Sequence, residues 1–187
     1  MSRLGKRPVG LPEKVKAEFK NGVLTVEGPG GKLQQVINER INLKIDAKEV
    51  LVEKTGETKQ HNVFQGLTRG LIMNMVEGVT AGFKKELEMH GLGYKAVLEG
   101  KNLTMNVGYS HTVSTDVPEG IKVAISQTSD KIPVLTITGI NKELVGAFSA
   151  KLRAFKKPEP YKGFGIRYAG EKIIRKAGKS AAGAGKK

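Results

Sequence analysis

Apolar and polar residues alternate along Lys14-Val15-Lys16-Ala17-Glu18-Phe19-Lys20, which puts Val15, Ala17 and Phe19 on one face and the charged residues on the other. A period of two is that of a strand with one buried side. Asn21-Gly22 follows, a strong hairpin turn signal. Val23 to Glu27 and Lys32 to Ile37 then read as strands separated by the turn Gly28-Pro29-Gly30-Gly31. Ile41 to Ile45 and the short β-branched run Val50-Leu51-Val52 complete a set of strands. The period then lengthens: Phe64, Leu67, Leu71 and Met75 fall three and four residues apart, the spacing of one helix face. In the second half Glu86 to His90 runs through Gly91-Leu92-Gly93 into Tyr94 to Leu98, which predicts a meander of antiparallel neighbours.

The chain repeats itself at a period of about 80 residues. Gly22 to Val26 is answered by Lys101 to Met105, Ile41 to Ile45 by Ile121 to Ile125, and Val50 to Val52 by Val134 to Thr136. The helical positions of the first half superimpose on Leu144, Phe148, Leu152 and Phe155 at shifts of 80 or 81, against 79 to 84 for the strands. The predicted fold class is α+β: two tandem copies of a small antiparallel sheet closed by one α-helix, meeting near Gly82 and followed by a basic C-terminal tail. The expected domains are 1–81 with a basic N-terminal arm, 82–176, and a flexible tail at 177–187.

Charge distinguishes the two ends from the body. Of 187 residues, 32 are Lys or Arg and 18 Asp or Glu, a formal charge of +14. Residues 1–12 carry +3 and residues 151–187 carry +10, leaving +1 for the 138 residues between. Clustered Lys and Arg favour polyanions, because phosphate contacts release condensed counterions. A solubility tail is the plain alternative. A membrane surface would want an amphipathic helix, whereas Gly178 to Lys187 is small and glycine-rich, so no membrane partner is expected. The absence of cysteine excludes disulfides, thiolate metal sites and a cysteine nucleophile. With no apolar signal-peptide core after Met1, a cytoplasmic location is expected.

Sites for chemistry are few. Gly28-Pro29-Gly30-Gly31-Lys32 lacks a following Ser or Thr and precedes a strand, so it reads as a turn and not a phosphate loop. Gly91-Leu92-Gly93 with Ala96 fits the letters of a dinucleotide fingerprint but lacks the following helix. Gly178-Lys179-Ser180 has Ile173 where a P-loop requires its first glycine. His61, His90 and His111 stand apart and are expected in surface or capping roles, with no metal, cofactor or catalytic residue assigned. The distinctive segment is Lys156 to Tyr168, where Pro158 and Pro160 stop the second helix and Lys and Arg interleave with Tyr161, Phe164 and Tyr168. Cations of this kind contact phosphates, aromatic faces stack on bases, and glycines permit close approach to another chain. In a purely structural alternative Tyr161 and Phe164 cover the sheet edge. For Phe164, between Gly163 and Gly165, an inserted apolar anchor is expected.

The run Pro158-Glu159-Pro160-Tyr161-Lys162-Gly163-Phe164-Gly165-Ile166-Arg167-Tyr168 resembles the signature of the sixth bacterial large-subunit ribosomal protein family, the L-six family. The opening Ser2 to Val9, the loop Gly91 to Ala96 and Gly108-Tyr109-Ser110-His111 also match, and the resemblance spans essentially the whole chain. The chain departs from the signature at Phe164, a position that is usually basic. The resemblance implies a non-enzymatic structural constituent of the large ribosomal subunit. It would bind large-subunit (23S-type) rRNA mainly through its C-terminal domain. Its surroundings would be neighbouring ribosomal proteins near the stalk base and the region that translational GTPases touch. On this chain it marks Tyr161, Lys162, Gly163, Arg167 and Tyr168 as the residues at the RNA. Charge adds Lys151, Arg153, Lys156, Lys157, Arg175, Lys176 and Lys179. Gly91, Gly93, Tyr94 and Lys95 match a family loop to which the sequence assigns no role. Residue chemistry alone also allows a free-standing nucleic-acid-binding protein or RNA chaperone.

Overall fold

The computed structural model describes residues 5–46, 48–128 and 132–178. Ser2, Arg3, Leu4 and, of the predicted tail, Lys179 and all that follows it lie outside the described residues. Two compact units make up the chain, one of residues 1–83 with 139–142 and the other of residues 84–138 with 143–187.

In the first unit, β2 (Lys16–Lys20), β3 (Val23–Gly28) and β4 (Gly31–Val36) form an antiparallel meander. A second sheet has the order β1 (Val9–Gly10), β6 (Glu49–Lys54), β5 (Ile41–Ile45), again antiparallel. Alternation decides which side chains go inward: Leu24 and Val26 of β3 and Val50 and Val52 of β6 are buried, while the residues between them are not. They pack against helix α1 (Lys59–Thr80).

The buried face of α1 is not centred on the stripe that the spacing predicts. Leu67 is 54% exposed, and the face turned inward carries Gln65, Thr68, Ile72, Val76 and Val79 with Met75 at its flank. Polar side chains succeed there because they are satisfied, as where Gln65 Nε2 donates to the Val52 carbonyl at 2.8 Å. Small and β-branched side chains also let the helix lie close: Gly30 N donates to Val79 O at 2.7 Å, tying the β3–β4 turn to the last turn of α1.

The second unit repeats the plan. One sheet has the order β10 (Val113–Asp116), β9 (Asn102–Asn106), β8 (Lys95–Glu99) and is antiparallel. The other runs β11 (Ile121–Gln127), β12 (Pro133–Gly139), β7 (Phe83–His90), β13 (Gly165–Tyr168). Helix α2 (Lys142–Phe155) buries Val145, Phe148, Ser149 and Leu152. The expected meander of β7 with β8 does not form. Both edges of β7 are taken, by β12 and β13, so Gly91-Leu92-Gly93 carries the chain from one sheet to the other. At that crossing the Tyr94 ring lies directly over Gly91, in the space a Cβ would fill. Strand β13 has no counterpart among the described residues of the first unit. Among the described residues no helix is long and apolar enough to cross a membrane.

Candidate nucleic-acid interface

The basic segment is fixed by its pairing with β7. In the antiparallel register Ile166 lies opposite Met89, Arg167 opposite Glu88 and Tyr168 opposite Leu87. Ile166 is fully buried and its N–H donates to Lys156 O at 2.8 Å, so this residue, and not Phe164, is the apolar anchor. Phe164 is 37% exposed and Tyr161 55% exposed, and neither is sealed against the sheet edge. The cause is local backbone: Gly165 has φ +144°, which breaks the strand alternation, so Phe164 does not follow Ile166 inward. A Cβ on Gly165 would lie 2.7 Å from both Lys157 O and Pro158 Cα.

Residues 159–164 form a tight turn, with Glu159 N donating to Phe164 O at 2.9 Å and Gly163 N to Glu159 O at 3.1 Å. Gly163 is buried at φ +78°, and a Cβ there would come within 3.2 Å of the Arg175 guanidinium. The positive φ of the chain's own turn thus favours glycine here. Lys176 N donates to Pro160 O at 2.7 Å, so the segment after β13 returns to the same turn.

Two of the sequence-predicted cations have carboxylates inside the chain. Arg153 grips Glu171 in a fork, Nη2 to Oε1 at 2.6 Å and Nε to Oε2 at 3.1 Å. Tyr168 N donates to the same carboxylate at 3.0 Å. Arg167 Nε lies 3.3 Å from Glu88 Oε2, which also lies 2.7 Å from His90 Nε2. The Arg153 fork and the Tyr168 N–H hold Glu171 below the usual carboxylate range, and the His90 hydrogen bond followed by Arg167 does so for Glu88. Tyr168 is flanked by Arg153 and Lys85, 5.8 and 5.7 Å from its ring centre. Lys151, Lys157, Lys162, Arg175 and Lys176 are exposed and enter no ion pair among the described residues. Lys156 sits with its ammonium 4.1 Å above the Tyr109 ring. The site therefore holds two kinds of cation, some closing the fold and some facing water.

Of the family-loop residues, Tyr94 is buried and Gly91 lies against its ring, while a Cβ on Gly93 would meet nothing within 4 Å. Burial pushes its hydroxyl pKa up, with Tyr109 and Glu159 nearby adding to the effect. The histidines are dispersed: His61 bonds Thr58 Oγ1 at 2.6 Å, His90 bonds Glu88, and His111 stacks on Tyr109. No group of three or more potential metal ligands occurs among the described residues.

The model of the family described as ribosomal protein L6 matches residues 11–82 and 90–169. The chain belongs to the ribosomal protein L6 family. Relatives include the protein named large ribosomal subunit protein uL6 of Natranaerobius thermophilus, 46% identical over 180 residues, covering 96% of this chain and 99% of the relative. The protein of the same name from Geobacter sulfurreducens is 47% identical over 180 residues, 96% and 98% of the two chains. That of Nostoc punctiforme is 45% identical over the full length of both. The second matched segment runs from His90, at the end of β7, through β8 to β13, and leaves out the rest of β7 and the extended stretch after Ala169. Sequence reasoning gives Glu88 and Glu171 no role and holds Tyr109 and His111 only within a family match. Glu171 counts there as a small offset to the charge of residues 151–187 and Glu88 falls in the near-neutral middle, and only the register opposite Arg167 and the fork on Arg153 show what the two acids do.

Proposed function

We propose that the chain is a structural constituent of the large ribosomal subunit and binds large-subunit rRNA through its second unit. The observation that carries this is a basic surface built on a rigid frame. Lys151 on α2 and Lys157, Lys162, Arg175 and Lys176 around β13 face solvent with no carboxylate partner among the described residues, and the Arg153–Glu171 fork ties α2 to the stretch after β13. Ammonium and guanidinium groups held in place neutralise phosphates with less ordering cost than a free tail, which suits stabilising folded RNA. Lys179 joins this set from sequence alone. Tyr161, exposed at the turn, offers an aromatic face to the same partner. Gly163, through its positive φ, and Arg167 and Tyr168, through side chains engaged within the chain, act by shaping the segment. The family signature supports a position near the stalk base, beside neighbouring ribosomal proteins and the region contacted by translational GTPases. No catalytic step is assigned to the site.

Cosedimentation of the full chain with large subunits in high salt tests the proposal. Retention in the subunit fraction is expected. Release at salt concentrations that strip loosely held polyanion-binding proteins would overturn it in favour of a free nucleic-acid-binding protein.

A further inference from the structure

Tyr109 and His111 form an exposed stacked pair of rings that the basic segment does not account for. Their rings are parallel within 7° with centres 5.6 Å apart, and both are exposed, Tyr109 by 43%. The Tyr109 hydroxyl donates to Phe155 O at 3.0 Å, serving one of the carbonyls that the end of α2 leaves without a helical partner. That bond uses the polar end of the side chain and ties down the ring, on which the exposed His111 ring is stacked. The Lys156 ammonium, 4.1 Å from the ring centre, adds positive charge at the same place. Tyr94 nearby shows what a structural tyrosine looks like in this unit: it is buried beneath Gly91 and Gly108. Tyr109 is held equally firmly and yet is left open.

We propose that Tyr109, His111 and Lys156 form a stacking platform for an unpaired RNA base, with Lys156 directed to an adjacent phosphate. This rests on the RNA-binding function proposed above and adds to it a second kind of contact. Duplex phosphates require only cations. A pinned pair of exposed rings beside a cation matches a base splayed out of a loop or bulge, which offers a π-face whatever its identity.

The test uses the full chain and a short single-stranded adenosine RNA carrying one 2-aminopurine, whose emission falls on stacking. A large-subunit rRNA fragment is titrated in parallel. Wild type should bind the single strand and quench it. Tyr109→Leu and His111→Ala should each lose quenching and weaken binding, by roughly five- to a hundred-fold for Tyr109→Leu. The salt slope should stay unchanged in both, because neither removes a phosphate contact. Tyr109→Phe keeps the ring but loses its tie to Phe155 O, so it should still quench and should lose less binding than Tyr109→Leu, and Lys156→Met should flatten the slope by about 0.7. His111→Ala changes an exposed side chain, so it decides the matter if Tyr109→Leu fails to fold. Wild-type binding without quenching, or unchanged binding by folded Tyr109→Leu and His111→Ala, would overturn the platform and leave RNA binding to the basic segment. Binding of the rRNA fragment but not of the single strand would do the same. Failure to bind either RNA would overturn both proposals.

Discussion

Replacing Gly165 by alanine adds one methyl group and removes no charge, yet the structure predicts a large effect. The new Cβ would sit 2.7 Å from Lys157 O and from Pro158 Cα and 2.8 Å from Pro158 N, all backbone atoms that cannot swing aside. The residue would also hold φ +144°, which an L side chain resists. Relief requires β13 to move away from residues 157–158, at the expense of the Ile166 N to Lys156 O bond and the burial of Ile166. Strain and overlap together should cost on the order of 2–4 kcal/mol. Gly178 is the control, since a Cβ there meets nothing within 4 Å, and Gly178→Ala should change stability by less than about 0.5 kcal/mol. Denaturant unfolding of the full chain gives the global value. Hydrogen exchange at the Ile166 amide, which bonds Lys156 O, reports local opening of the segment. A Gly165→Ala protein within about 0.5 kcal/mol of wild type, with unchanged Ile166 protection, would refute the claim that this glycine fastens the segment.

Glu171→Gln should lower stability at neutral pH by about 1–2 kcal/mol, the scale of a charge-assisted fork that is partly screened. Because the folded carboxyl pKa is depressed, that contribution is present above the ordinary carboxylate value and lost as pH falls through the lower folded one. Acid melts of the variant should therefore be flatter than wild type in that window, and parallel melts would sink the assignment. Neutralising Lys156 and Lys157 together should flatten the salt dependence of rRNA binding by about one to two units, and an unchanged slope would mean these lysines do not meet phosphate. A fragment from Gly82 onward should keep most of the rRNA affinity while residues 1–81 bind weakly; equal affinities would contradict this. The 1–81 fragment should also melt below the first unit of the full chain, since it lacks Ile140, whose carbonyl packs against Gly78.

The repeat was legible because it is written in burial, and burial imposes a period. The blocks Gly22 to Val26 and Lys101 to Met105 became β3 and β9, with Leu24, Val26, Leu103 and Met105 turned inward. Where the inward surface was not strongly apolar, periodicity misled: the α1 stripe through Leu67 is the flank of a face whose buried members include Gln65 and Thr68. Pairing between strands was legible only where the turn was short. Asn21-Gly22 correctly joined β2 to β3, but Gly91-Leu92-Gly93 has the composition of a turn and performs a change of sheet, because the neighbour that fills the edge of β7 comes from residues 165–168. No local signal at Gly91 contains that information.

The candidate interface was legible as charge and illegible as geometry, and the difference changes what each residue does. Counting treats Arg153 and Lys157 as equivalent, whereas one is clamped by Glu171 and the other is exposed. A segment made wholly of unpaired cations would repel itself and stay extended. Two carboxylates, Glu88 and Glu171, each joined to an arginine, let the chain lay a strand of strongly basic sequence onto a sheet edge. The acids are thus part of how the positive surface is made. Placing them opposite Arg153 and Arg167, rather than beside the lysines, keeps the lysines available. The same economy explains Tyr109, whose hydroxyl closes the end of α2 while its ring, with His111 stacked on it and Lys156 over it, stays exposed. In each case the fold uses the end of a side chain that it needs and leaves the remainder facing outward.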